Sequence, residues 1–266
     1  VNPDNQNPLL RARVPRLSFA DDEVRHAWLK PYLTACAIVD AGVTEAVSSE
    51  TAKGRRLACH QGCSACCRVH TTIPVYPLEL IGMTWYAVEK ITGETREKLN
   101  ANLRAHRKGE PCPLLVDSLC SVHALRPLAC RQFNVFGKVC EEGEDAHYTR
   151  REDVLTPIPA FANAAFETML PFYGVNDPAK QKELIDSGKV HQLARVLQEY
   201  DWAKLAERME VFDRSPSRVQ SPVGEIRNSF TRSSPRNACA KRPELSGSVV
   251  RITMRYSKNC PSRVMP

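Results

Sequence analysis

Seven of the chain's eleven cysteines fall between Cys59 and Cys130, and four of them, Cys59, Cys63, Cys66 and Cys67, crowd into nine residues. Thiolate is a soft donor that binds zinc and is the usual ligand of iron–sulfur clusters. Gly62, Ser64 and Ala65, interspersed among these cysteines, permit a tight loop whose sulfurs turn inward. A second segment supplies Cys112, Cys120 and Cys130. Secreted disulfide scaffolds space their cysteines along a short chain. Cysteines this close, two of them adjacent, cannot easily reach four different partners but can converge on one ion or cluster. Buried structural thiols, packing as small hydrophobes, would account for one or two of them and not for four in nine residues.

One zinc or one four-iron cluster needs about four ligands. Seven cysteines serve two sites, or one site with thiols held back for redox work. The side chains of adjacent Cys66 and Cys67 tend to diverge, which is awkward for one tetrahedral zinc. That favours a polynuclear iron–sulfur centre over zinc, or a site that uses only one of the pair. His60, His70 and His123 lie nearby; His123 has the better claim to ligation or support, since it sits between Cys120 and Cys130. Arg126 and Arg131 either donate to thiolates and cluster sulfides, or are solvated charges, or bridge to Glu79. Cys36 falls on a helical pattern and reads as core. Cys140, Cys239 and Cys260 lie in a loop or the tail and are not counted as ligands.

The two cysteine groups must be brought together by what lies between and around them. Ser18 and Asp21 mark a helix start, and a helical pattern runs to about Ala41, with Pro31 expected to kink or divide it. Residues 42–57 read as a polar continuation. Val69 to Val75, with Thr71, Thr72 and Ile73, reads as a short extended piece. Pro77 suits a first turn, and Leu78, Ile81, Trp85 and Val88 follow at helical spacing. A second helix is expected from about Glu94 to Arg107, with Gly109 just beyond its end. These two helices form a hairpin that returns the chain from the first cysteine group to the second. Leu114 to Val122 reads as a short β-hairpin turning at Asp117-Ser118, with a helical turn ahead of Cys130. Helical patterns resume near 159–170, 178–187 and 189–212, with Asn176, Asp177 and Pro178 as a start signal. Trp85 and Tyr86 read as packing, and the stripe Leu193, Val196, Leu197, Tyr200 and Leu205 as core-facing.

The chain has 266 residues and a formal charge of +7. Arg214 to Pro266 alone carries 11 basic and 2 acidic residues, so residues 1–213 are close to neutral. The basic balance therefore belongs to a Ser- and Pro-rich tail with few large apolar residues, which reads as disordered. The expected organisation is a flexible arm over 1–17, a cysteine-cluster metal-binding domain over 18–213 with its motif core at 59–134, and a disordered basic tail over 214–266. The fold class is mainly α, with a small irregular cysteine-rich centre and one short hairpin. The first residues lack a basic region followed by an apolar one, and no run approaches 18 apolar residues, so neither a signal peptide nor a membrane span is expected. Abundant thiols without an export signal imply a reducing, cytoplasmic setting.

Taken in order, Cys59-x3-Cys63-x2-Cys66-Cys67, Pro77-x-Glu79 opening a helix, Cys112-Pro-Leu-Leu, Cys120-Ser-Val-His123 and Arg126-Pro127-x2-Cys130-Arg131-x-Phe133 resemble the zinc- or iron-chelating cysteine-cluster proteins often called YkgJ-type. The resemblance covers residues 59–134. It implies that the cysteines are metal ligands. One branch resembles the flagellin lysine methylases, which use an iron–sulfur cluster, but this chain is shorter and shows no clear S-adenosylmethionine signature. Three functions compete: a metal-binding protein that stores, delivers or senses iron or zinc; an iron–sulfur enzyme; and a zinc module with a basic nucleic-acid-binding tail. The metal ion is the expected partner, and a protein partner or substrate is left open. Nucleic acid is disfavoured, since the cysteine segments carry few basic residues and no C2H2 pattern.

Overall fold

Aliphatic residues recurring on helical faces, with few aromatics to fill a core, favour helices packed on helices. The computed structural model, which describes residues 15–215, has that architecture. It is mostly helical, with two small antiparallel pairings. Its elements are α1 (Ala20–Arg25), α2 (Leu29–Ala52), α3 (Ala65–Val69), β1 (Pro74–Val75), α4 (Pro77–Glu89) and α5 (Gly93–Ala105), then β2 (Leu115–Val116), β3 (Leu119–Cys120), α6 (Leu128–Gln132) and α7 (Ala146–Thr149), and finally α8 (Pro159–Met169), α9 (Pro178–Asp186), β4 (Arg195–Val196) and α10 (Ala203–Asp213). The arm before residue 15 and the tail after residue 215 lie outside the described residues, as do Cys239 and Cys260.

Helix α2 is buried on most of its circumference, from Leu29 and Tyr32 through Ile38 to Ala46. It packs along α8, where Phe161, Ala165 and Met169 meet it. Cys36 is part of this core, as expected. Helix α4 divides two cores. Leu78 and Trp85 face the α2–α8 core, while Met83, Ala87 and Val88 join Leu99 and Leu103 of α5 and Leu205, Ala206 and Met209 of α10. Burying a Leu or Met side chain fully contributes roughly 1.5–3 kcal/mol, so each of the two clusters is a substantial source of stabilisation for the described residues. Trp85 packs edge-on to Phe19 with ring centroids 5.2 Å apart, the packing role expected of it.

Several local expectations are corrected. Pro31 neither kinks nor divides a helix. The break falls earlier, at His26 to Trp28, and Pro31 occupies the first turn of α2, where its missing N–H is not needed. Residues 42–52 continue α2 as regular helix. Helix α5 ends at Ala105, so Gly109 lies past its cap, although its φ of 82° is left-handed. The 189–212 stripe is not one helix. It breaks into a 3-10 turn at Lys189–Leu193, strand β4, a second 3-10 turn at Leu197–Glu199, and α10. The physical reason lies in Gln198, fully buried, whose side chain accepts from Ile73 N–H at 3.0 Å and donates to the His70 carbonyl at 2.9 Å. Those bonds, with the β1–β4 pairing of Pro74 to Val196 and Val75 to Arg195, hold the stretch extended.

The hairpin forms as expected but is narrower: Leu115 faces Cys120 and Val116 faces Leu119. Asp117 and Ser118 have φ of 49° and 65°. Two left-handed residues in a two-residue loop make the primed turn that matches strand twist. A further ladder closes over both cysteine segments. Leu57 bridges Phe136, Ala58 N–H donates to Val135 O at 2.8 Å, and Gly137 N–H donates to Arg56 O at 2.8 Å.

Candidate metal centre

The ladder sets Cys59 in the lining of a cavity. Its sulfur accepts from Val135 N–H at 3.3 Å. The chain then turns, with Cys63 N–H donating to His60 O at 3.0 Å, and Gly62 takes a φ of 84° that a side chain would resist. Cys66 and Cys67 lie on the single turn of α3. Adjacent helical residues point about 100° apart, and the two thiols remain close enough to hydrogen-bond each other. The backbone joins the two segments directly, since Cys112 N–H donates to Cys67 O at 3.2 Å. Arg68 adds a second stitch, donating to Ser118 Oγ at the hairpin tip at 2.5 Å. Cys120 ends β3 and Cys130 lies in α6.

All seven predicted cysteines line one cavity of about 1090 Å³. The same cavity is lined by His60, His70, His123, Arg126 and Arg131. Among the described residues, no three His, Cys, Asp or Glu side chains already surround a common point closely enough to hold an ion. The donor chemistry nonetheless fits a thiophilic metal: seven soft sulfurs, from short irregular segments, face one space.

Burial pushes the Cys59 thiol up to about 11 and Cys112 up to about 12. Cys130 is raised well above its ordinary value by burial and then by the neighbouring Cys112, Cys66 and Cys120. Cys66 is raised by its hydrogen bond with Cys67 and then by burial. These sulfurs therefore stay protonated at neutral pH until a metal takes the place of the proton. Metal binding must release protons here.

The supporting residues differ from expectation in one respect. Arg131, only 4% exposed, does not bridge Glu79; it forks to Asp40 Oδ2 at 2.6 Å, Arg126 O at 3.1 Å and Ala124 O at 2.5 Å. Glu79, fully buried, instead accepts from Tyr76 N–H at 2.7 Å and Leu128 N–H at 2.6 Å. It thus ties the start of α4 to the start of α6, the helix that carries Cys130. Both side chains hold residues 124–128 in place. Arg126 makes no ion pair among the described residues, and its Nη1 lies 2.9 Å from the ring Nε2 of His123 and 3.1 Å from the His123 carbonyl. Burial and the adjacent Arg131 disfavour the charge on Arg126, and anionic sulfur at Cys120 or Cys130 would offset that cost. His123 is likewise pushed down, by burial and then by Arg126, so it is neutral at pH 7.

Two features escaped the sequence. His70 Nε2 lies 3.1 Å from Asp145 Oδ1, with its ring edge-on to Phe133 at 4.6 Å. Nothing in the spacing of 70 and 145 could announce that pair. Cys140, set aside as a loop residue, is half-buried and packs with Cys59 on Val135, Ala146 and Val154.

Residues 58–157 match the model of the CxxCxxCC family, described as "Putative zinc- or iron-chelating domain". The matched stretch opens one residue before Cys59 and extends past Cys140. The first gap here, three residues between Cys59 and Cys63, is one longer than the family's name spells out. No match was found among curated proteins or among solved structures. The match supports metal chelation by this stretch, with zinc or iron as the metal. No helix among the described residues is long and apolar enough to cross a membrane.

Proposed function

We propose that the cysteine-cluster domain holds iron as an iron–sulfur cluster, with ligands drawn from Cys59, Cys63, Cys66, Cys67, Cys112, Cys120 and Cys130. The observation that carries this is the opening of all seven sulfurs onto one cavity far larger than a single ion needs. A closed structural zinc site takes four ligands in tetrahedral array. Seven thiols and an adjacent pair exceed that and suit a polynuclear centre. Arg126 and Arg131, beside Cys120 and Cys130, supply positive charge to offset the negative charge of a thiolate-ligated cluster. The nine cysteines of the described residues are all unpaired, in keeping with a reducing, cytoplasmic setting. The function is metal holding, as storage, delivery, sensing or electron transfer.

The test is anaerobic purification with assay of iron, zinc and acid-labile sulfide, together with a visible spectrum. Iron and sulfide in near-equal amounts, with absorbance near 400 nm bleached by dithionite, are expected. Zinc without sulfide would replace the cluster with a zinc centre. Less than about a tenth of an equivalent of either metal would remove the reading altogether.

A further inference from the structure

We propose that the cavity also binds a small organic carboxylate, anchored by the guanidinium of Arg126, with the apolar wall of the cavity receiving the organic part. This site does not require the metal, so it stands or falls separately from the metal centre.

The space is of the right kind. At about 1090 Å³ the cavity is as large as the sites that take small molecules, which run to roughly 300–1,000 Å³. Buried Leu114, Val122 and Leu197 contribute an apolar wall. Two arginines and one carboxylate, Asp145, also line it. Asp145 is engaged elsewhere, with His70 Nε2 at 3.1 Å and the His147 N–H at 2.9 Å. Arg131 is engaged too, its charge matched by Asp40 and its other donors spent on the carbonyls of Arg126 and Ala124. Arg126 is the cavity cation left without a carboxylate.

Arg126 is held in place on one edge and open on the other. Its Nη1 donates to the His123 carbonyl at 3.1 Å and lies 2.9 Å from the ring Nε2 of the same residue. Its backbone is pinned at both polar groups, since its N–H donates to His123 O at 3.4 Å and its carbonyl accepts from Arg131 Nε at 3.1 Å. Its Nε and Nη2 have no acceptor among the described residues, and neither is sealed from solvent. Those two nitrogens form one edge of the guanidinium, spaced to match the two oxygens of a carboxylate. Sulfur does not occupy that edge. Cys120 and Cys130 act on Arg126 through space, but neither thiol accepts a hydrogen bond from it, whereas Arg150 Nη2 does reach a sulfur, that of Cys140, at 3.3 Å. A half-buried charge with an unused fork, in a cavity with an apolar wall, suits an anion that carries a hydrocarbon body.

The full chain, purified anaerobically, is tested by saturation-transfer NMR with benzoate and with benzamide, its uncharged isostere. Benzoate should receive transfer, and benzamide should neither receive it nor displace benzoate. Arg126→Gln should weaken benzoate binding roughly tenfold to a hundredfold, the worth of a charge-assisted pair. Arg126→Lys, which keeps the charge and loses the fork, should lose most of the same affinity. Where a variant fails to fold, the wild type alone suffices: labelling of Arg126 by phenylglyoxal, read by mass spectrometry, should be slowed by benzoate and not by benzamide. Equal binding of benzoate and benzamide would overturn the site. So would labelling indifferent to benzoate, or benzoate binding unchanged in Arg126→Gln, the result expected of a carboxylate held by the metal itself. Stronger displacement of benzoate by inorganic phosphate than by acetate would overturn carboxylate as the ligand. Iron, zinc and sulfide contents of the same preparation decide the metal centre separately.

Discussion

Replacing Glu79 with Gln should remove a specific slope from the pH dependence of stability. Glu79 has no solvent exposure, and burial pushes its carboxyl up to about 7, against the downward pull of the Leu128 and Tyr76 N–H donors. In the unfolded chain the same group titrates near 4.5. A group whose folded value is raised contributes fully below the unfolded value, and that contribution is lost as pH rises toward the folded one. Between pH 4.5 and about 7 the folded protein therefore binds more protons than the unfolded chain, and stability must fall as pH rises. The gap corresponds to roughly 3 kcal/mol, or about 6–12 °C in midpoint for a domain of this size. Gln is neutral throughout, so Glu79→Gln should lack the slope. It should also be less stable at low pH, because its single carbonyl oxygen can accept only one of the two N–H groups, and a buried unsatisfied donor costs about 1–3 kcal/mol. The assay is thermal unfolding of both proteins at matched pH from 5 to 8, read as the difference between them, so that other titrating groups, the thiols included, largely cancel. Equal slopes would refute the argument, showing Glu79 ionised already at pH 5 by its two donors.

Three further outcomes are expected. Arg131→Lys keeps the charge but not the fork, so two hydrogen bonds to the carbonyls of Ala124 and Arg126 are at risk; a loss of about 2–4 kcal/mol in urea unfolding is expected, and an unchanged midpoint would show the fork to be incidental. Gly42→Ala would add a Cβ 2.6 Å from Phe161 Cβ in the α2–α8 contact, where overpacking of about 1–3 kcal/mol outweighs a helix-propensity gain of about 1 kcal/mol; a raised melting midpoint would contradict this. A strong chelator should lower the melting midpoint of the metal-loaded protein, since binding energy at these thiols is also folding energy, and an unchanged midpoint would deny the metal a structural role.

What the sequence disclosed, and what it withheld, follows the range of the interactions. The Asp117-Ser118 turn was readable because two short polar residues between apolar runs suit the left-handed backbone found there. The helices around Leu78 and Pro178 were readable because Pro at a first turn and 3.6-residue spacing are local signals. Residues 189–212 were misread because their apolar spacing matches a helix, while the deciding bonds come from Gln198 to residues 70 and 73. The partner of Arg131 was hidden for a similar reason: Asp40 lies 91 positions away, and only the packing of α2 beside α6 brings it near. The seven cysteines were visible by density, and all seven line the cavity. The packing of Cys140 beside Cys59 was not readable, because it depends on the ladder, which no local pattern encodes.

That ladder has a consequence for how the chain reaches its native state. Leu57 and Phe136 lie at opposite ends of a loop that contains both cysteine segments. Contacts of such long sequence separation require a costly closure and tend to form late. Until they do, Cys59 and Cys140 have no shared apolar surface to shelter them, and the thiols between are solvent-accessible and free to oxidise or to pair wrongly. The time from synthesis to closure of the ladder is therefore the interval in which this protein is most vulnerable to oxygen. Refolding under air should cost recoverable protein in proportion to how slowly that loop closes.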